Sequence, residues 1–104
     1  MATVLYERDG AVARVTMNRP QYGNAQSRVL LEELDDALRE AMDDHDVRAV
    51  VLFGAGDNWS SGHDIGTKEE IADREARPYQ PGVSGVFQRS WDLNVENTMR
   101  WRDL

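Results

Sequence analysis

The stretch RAVVLFGAGDNWSSGHDIGT, residues 48–67, decides how this chain is read. Its first part, Ala49 to Phe53, is a continuous β-branched and aromatic run with the make-up of a strand covered on both faces. Four glycines follow within the quoted segment, together with Ser60, Ser61, His63 and Asp64. Glycines and small residues beyond a strand end let main-chain N–H groups approach a ligand oxygen, and the start of a following helix adds partial positive charge. An oxyanion site needs donors of that kind.

The segments upstream complete a unit around that strand. TVLYERDGAVARVTM reads as two short strands around Asp9-Gly10, a dipeptide suited to a tight hairpin turn. NRPQYGNAQS is a loop interrupted by Pro20 and Gly23, and Ser27 stands where a helix cap belongs. From Arg28 to about Asp43 the apolar residues Leu30, Leu34, Ala37, Leu38 and Ala41 recur at intervals of three and four, the period of an amphipathic helix. Strand, loop, helix and strand then form a right-handed βαβ unit.

Downstream the composition changes. TKEEIADREARPYQPG is mostly charged and closes on two prolines and a glycine, so residues 67–82 are expected to be a mobile loop with at most a helical turn. In residues 83–104, Phe87, Trp91, Val95 and Met99 step by four, which predicts a second amphipathic helix whose apolar face serves packing. The expected organisation is residues 1–66 as the strand and helix unit, 67–82 as the loop and 83–104 as the terminal helix.

Composition excludes several functions. A chain of 104 residues has room for one small domain. Twelve basic against 19 acidic residues give a net charge of -7, which repels a phosphate backbone and argues against nucleic-acid binding. Absence of cysteine removes disulfides and thiol catalysis. The start, MATVLYERDG, lacks the pattern of a secretory leader and no run approaches membrane length, so the expectation is a cytoplasmic protein without a membrane segment.

The glycine-rich segment fails the better-known signatures. In a dinucleotide fingerprint counted from Gly54 and Gly56 the third glycine falls on Trp59, and no Gly-Lys-Ser/Thr of a P-loop follows. Asn58-Trp59-Ser60-Ser61-Gly62 imitates a nucleophile elbow around Ser60, but asparagine replaces its first glycine. His45 lies among aspartates and His63 adjoins Asp64, neither arrangement converging on a metal ion. The acidic side of the helix is a solvated face in the simplest reading.

Taken in order, the asparagine-arginine-proline of 18–20, Asn24-Ala25, the amphipathic helix, the buried strand and the serine-glycine-x-aspartate turn of 61–64 resemble the front part of the crotonase, or enoyl-CoA hydratase/isomerase, superfamily. The resemblance covers more than half of the chain. It implies an α/β fold, a crotonase-like spiral of ββα turns of which this chain carries the N-terminal part. It also implies binding of an acyl-CoA thioester, with coenzyme A entering as part of the substrate and no separate cofactor or metal. His63 falls on the first backbone donor to the thioester oxyanion. Asn24, Ala25 and Gln26 fall on the loop that meets pantetheine and nucleotide, and Ser61, Gly62, Asp64 and Ile65 on the turn that contacts adenine and thioester. Complete family members form trimers or hexamers.

Three positions depart from the family pattern. Tyr22-Gly23 stands where a basic residue is common, which leaves Arg19, Arg28 or a partner chain to meet the CoA phosphates. His63 replaces a small residue, its main-chain N–H being the preferred contribution, and Gln26 replaces leucine. The second donor and the acid/base glutamates belong, by the resemblance, to a region beyond Leu104, supplied by a missing portion or a second chain. The alternative function is an inactive CoA-binding or assembly module that docks to a related subunit. Purified residues 1–104 alone are accordingly expected to show no crotonyl-CoA hydration in a coupled spectrophotometric assay, and turnover by that chain would refute the division of labour.

Overall fold

The computed structural model describes residues 2–79. Strand β1 (Val4–Asp9) turns back through Gly10-Ala11 into β2 (Val12–Met17), with Asp9 paired to Val12. The turn therefore sits one residue later than the Asp9-Gly10 expectation. Gly10 has φ 62° while Ala11 keeps an ordinary φ, the pattern of a two-residue turn with glycine at its first central position.

Helix α1 (Arg28–Asp43) begins where the sequence indicates, since Ser27 Oγ accepts a hydrogen bond from Leu30 N at 3.1 Å. Its buried side is formed by Leu30, Leu31, Leu34, Ala37, Leu38 and Ala41, the expected stripe with Leu31 added. That side packs on β1 and β2. Ala13, Val15 and Met17 alternate along β2 toward it, each fully enclosed, because successive strand residues face opposite sides. Two acidic residues of α1 depart from a purely solvated face. Glu33 Oε1 accepts from Thr3 N at 3.0 Å and Val4 N at 3.3 Å, tying the start of β1 to the helix. Asp35 is buried and pairs with Arg39 at 3.2 Å.

Helix α1 carries the chain across to β3 (Ala49–Gly54), which runs parallel to β2, as a parallel pair requires a crossover. The sheet order is β1-β2-β3. The covered strand expected at Ala49 to Phe53 is corrected here: Val50, Val51 and Phe53 are 38%, 41% and 38% exposed. Strand β3 is the sheet's edge and α1 lies over the other two strands, so neither of its faces is fully covered. On the face away from α1 the register aligns Leu5, Thr16 and Phe53, and the Arg14 guanidinium stands 4.9 Å from the centroid of the Phe53 ring. At the opposite margin, Arg8 bonds Asp44 at 3.1 Å and Asp46 at 3.2 Å; the Asp46 hydrogen bond, with Asp44 adding its charge, raises the guanidinium pKa.

The chain divides into two compact units, residues 1–64 and 65–104. In the second, the loop expected over 67–82 contains a nine-residue helix, α2 (Lys68–Ala76). Its composition is that of a loop, but its charges are spaced for a helix. Thr67 Oγ1 accepts from Glu70 N at 3.3 Å, Glu70 pairs with Arg74 at 3.2 Å and Asp73 with Arg77 at 2.6 Å, both pairs at i,i+4. The terminal helix expected over 83–104 lies outside the described residues. Among the described residues no helix is long and apolar enough to cross a membrane.

Leu30→Ala is expected to lower unfolding free energy by about 2–5 kcal/mol, against less than about 0.5 kcal/mol for Met42→Ala on the exposed side of α1. Urea denaturation of the two variants checks which face is inside, and equal losses would contradict it.

Candidate functional site

Because β2 and β3 are parallel, the loops that leave them emerge on the same side of the sheet. These loops, 18–27 and 55–64, build the candidate site. The first passes through a short 3-10 turn (Pro20–Tyr22) and then two consecutive left-handed residues, Gly23 at φ 59° and Asn24 at φ 55°. Asparagine tolerates that conformation better than most residues with a side chain.

Asn24 is fully buried, and its amide spans both loops. Its Nδ2 donates to Ala55 O at 2.8 Å and Asn58 O at 2.7 Å, while Oδ1 accepts from Arg19 N at 2.8 Å. Ser60 adds a second fastening: its Oγ donates to Asn24 O at 2.9 Å and accepts from Gly62 N at 3.2 Å and Gln26 Nε2 at 3.3 Å. Gly54, where β3 ends, must be glycine, since a Cβ there would lie 2.4 Å from Trp59 O. The strand end and the loop backbone are in closest approach at that point.

The loops then pair as a parallel bridge between Gln26 and His63. Gln26 N donates to Gly62 O at 2.7 Å, and Asp64 N donates to Gln26 O at 3.0 Å. In such a bridge the groups flanking the central residue face the partner strand, so the N–H of His63 points the other way. Gly62, at φ 104°, supplies the preceding bend. Beneath the bridge, Arg19 Nη1 donates to Ala25 O at 2.7 Å and to Asp64 Oδ2 at 2.9 Å, an ion pair whose residues are 3% and 5% exposed. The Arg19 guanidinium also lies 4.8 Å from the centroid of the Tyr22 ring.

The expected site residues therefore come together, but in unequal positions. Asn24 and Ala25 are buried in the framework, with the Ala25 carbonyl accepting from Arg19 and Ser27. Gln26 is the half-buried and His63 the exposed member of the bridge, with half-buried Gly62 and exposed Ser61 beside it. Ser61 N donates to Gly23 O at 2.9 Å. Asp64 is buried, and Ile65, which opens the second unit, is 89% exposed.

Arg19 is corrected as a candidate phosphate anchor, because its guanidinium is enclosed and committed to Asp64 and Ala25. Arg28 is half-buried and stands 3.9 Å from Glu32. Ser60 was legible only as a doubtful nucleophile; its hydroxyl instead donates to a carbonyl, and no histidine nitrogen bonds it among the described residues. The signal for its real place was the Ser-x-Gly spacing, in which a hydroxyl accepts from the N–H two residues on. Among the described residues no group of three or more His, Cys, Asp or Glu is placed to hold a metal ion.

The ββα unit with its paired strand-end loops is the part of the fold over which this chain matches known proteins. Residues 7–95 match the enoyl-CoA hydratase/isomerase family, and the chain belongs to that family, the crotonase superfamily. It is 39% identical over 89 residues to the short-chain-enoyl-CoA hydratase of Clostridium acetobutylicum, a match covering 83% of this chain and 33% of that protein. The crystal structure of a probable enoyl-CoA hydratase from Mycobacterium smegmatis superposes with a TM-score of 0.81 at 30% identity, covering 98% of this chain and 37% of the other. An enoyl-CoA hydratase/isomerase from Xanthobacter autotrophicus Py2 gives 0.73 at 37% identity, covering 94% and 34%. The chain thus spans about a third of the length of these relatives. Its sheet, open at β3, is the corresponding part of their ββα spiral.

Asn24→Gly keeps a backbone free to adopt the left-handed conformation but removes the amide. Of the groups left without this partner, Arg19 N is buried while Ala55 O and Asn58 O are part-buried and open to water, so the expected loss is about 1–3 kcal/mol. Chemical denaturation measures it, and a loss below about 1 kcal/mol would show that the amide is not the fastening of the two loops.

Proposed function

We propose that this chain contributes the CoA-ester site of an enoyl-CoA hydratase/isomerase-type enzyme and one backbone donor, the N–H of His63, to its oxyanion hole. The carrying observation is the Gln26–His63 bridge, whose hydrogen bonds engage Gly62 and Asp64 and leave the His63 N–H directed away from Gln26. When water adds to a 2-enoyl-CoA, negative charge collects on the thioester oxygen. A fixed N–H aimed at that oxygen stabilises the enolate more than the ground-state carbonyl, and so lowers the barrier. The imidazole is not needed for this step.

In this reading the ester lies along the exposed side of the loops, with main-chain groups of Ala25, Gln26, Ser61, Gly62 and Asp64 near its pantetheine and adenine portions. Asn24 serves by holding the loops. The acid/base groups and the second donor are assigned to the part of the family's length that this chain does not span, while Asp64, the carboxylate next to His63, is held by Arg19. The whole protein is proposed to be a cytoplasmic trimer or hexamer acting in acyl-CoA metabolism. That same commitment of Asp64 favours a second reading, an inactive CoA-binding module docked to a related subunit. Mass spectrometry of the protein purified from its source separates the two, since a co-purifying polypeptide that carries the acid/base glutamates supports the enzyme and a lone folded chain supports the module.

In the protein together with whatever polypeptide completes its site, His63→Ala retains the donor and should keep turnover of crotonyl-CoA within about tenfold, whereas His63→Pro deletes the N–H and should cost roughly 100- to 1,000-fold. Affinity for a non-reactive CoA ester and the thermal midpoint, measured beside the rate, separate a lost donor from a distorted turn. An inactive but folded and CoA-binding His63→Ala variant would transfer the role to the imidazole.

A further inference from the structure

The two residues of the buried ion pair, Arg19 and Asp64, lie 45 positions apart in sequence, one in each loop of the site. We propose that Arg19 is a positioning residue for the His63 N–H: acting through Asp64 and Ala25, its guanidinium sets the direction in which that donor points. The proposal rests on the oxyanion reading of His63 and extends it to a side chain that touches no reacting atom.

The residues on both sides of His63 are fixed, and Arg19 is the ionic part of that fixation. Gly62 is held by its carbonyl on Gln26 N and by its N–H on Ser60 Oγ. Asp64 is held by its N–H on Gln26 O and by its carboxylate on Arg19 Nη1. Arg19 is itself anchored, because its N–H donates to Asn24 Oδ1 and its carbonyl accepts from Asn24 N at 2.8 Å. The same Nη1 that holds Asp64 reaches Ala25 O, so one planar cation sets the separation of the two loops. A buried ion pair is a poor net source of stability, because desolvation offsets much of the attraction. Its place one residue from the donor indicates control of orientation, and misplacing a reacting group by about 1 Å costs on the order of 100-fold in rate.

The test uses the protein with whatever polypeptide completes its site and two variants: Asp64→Asn, which preserves shape, and Arg19→Lys, which preserves charge. The probe is dimethylaminocinnamoyl-CoA, whose long-wavelength absorption moves to the red when donors polarise its thioester carbonyl. At saturating probe the wild type is expected to show the red shift and each variant to lose a large part of it. In parallel, kcat for crotonyl-CoA should fall roughly 10- to 100-fold while KM stays within about threefold. A lower melting temperature with the red shift and kcat retained would reduce the pair to a structural role and overturn the proposal. Two variants that fail to fold at any temperature would overturn it likewise, by showing a folding element only. A wild-type protein that binds the probe without a red shift and hydrates nothing would remove the oxyanion reading itself, an outcome distinct from retention of the shift in the variants.

Discussion

One buried carboxamide governs the geometry of this protein's loops. The side chain of Asn24 donates to two carbonyls of the 55–64 loop and accepts from the backbone of its own loop, using three of the four hydrogen bonds available to it. The constraint arises from the sheet. Parallel strands β2 and β3 release their chains at the same end of the sheet, and the two loops that pack against each other there have backbone groups partly removed from water. The Gln26–His63 bridge satisfies some of them, and side chains meet the rest. Asn24 can meet both donor and acceptor needs from a left-handed backbone position, which few residues tolerate.

The rest of the site follows from that join. Once the loops are in register, Gln26 and His63 can bridge, Ser60 can close on Asn24 O, and Arg19 can reach Asp64. The ties share Asn24, Gln26 and Ser60, so they form one connected network rather than a set of separate contacts. On the oxyanion reading proposed for His63, its chemical consequence is preorganisation: a peptide held on both sides meets developing charge without first having to reorganise. Rigid loops placed by a small helix and sheet are a common way to position reacting groups.

Against this ordered end, the sheet is open elsewhere. Helix α1 covers β1 and β2, leaving Val50, Val51 and Phe53 on the edge strand partly exposed, with Leu5 in line with Phe53 across the outer face. An apolar parallel edge strand seeks further cover, since parallel sheets are ordinarily enclosed on both faces. The open edge and the correspondence with about a third of the related structures are two aspects of one fact: this chain carries one part of a repeating spiral.

What the sequence by itself determined was whatever a local period or a local turn encodes. The stripe from Leu30 to Ala41 and the Ser27 cap defined α1, because every fourth or third residue of a helix meets the same neighbour. The β2 pattern and Gly10 located the hairpin to within one residue. Five short motifs in order identified the family, and with it the two loops that the Gln26–His63 bridge joins. Tertiary structure alone decided what depends on distant partners. The apolar run of β3 looked buried, but exposure depends on which strand is at the edge. The charged segment around Lys68 looked like a loop, yet Thr67 capping and two ion pairs organise it as a helix. Arg19 and Ser60 looked like surface chemistry and proved to be a buried and a half-buried fastening, because composition does not record that residues 45 and 36 positions apart will meet. Such meetings are set by the crossover of α1 and the parallel register of β3, which no local pattern contains.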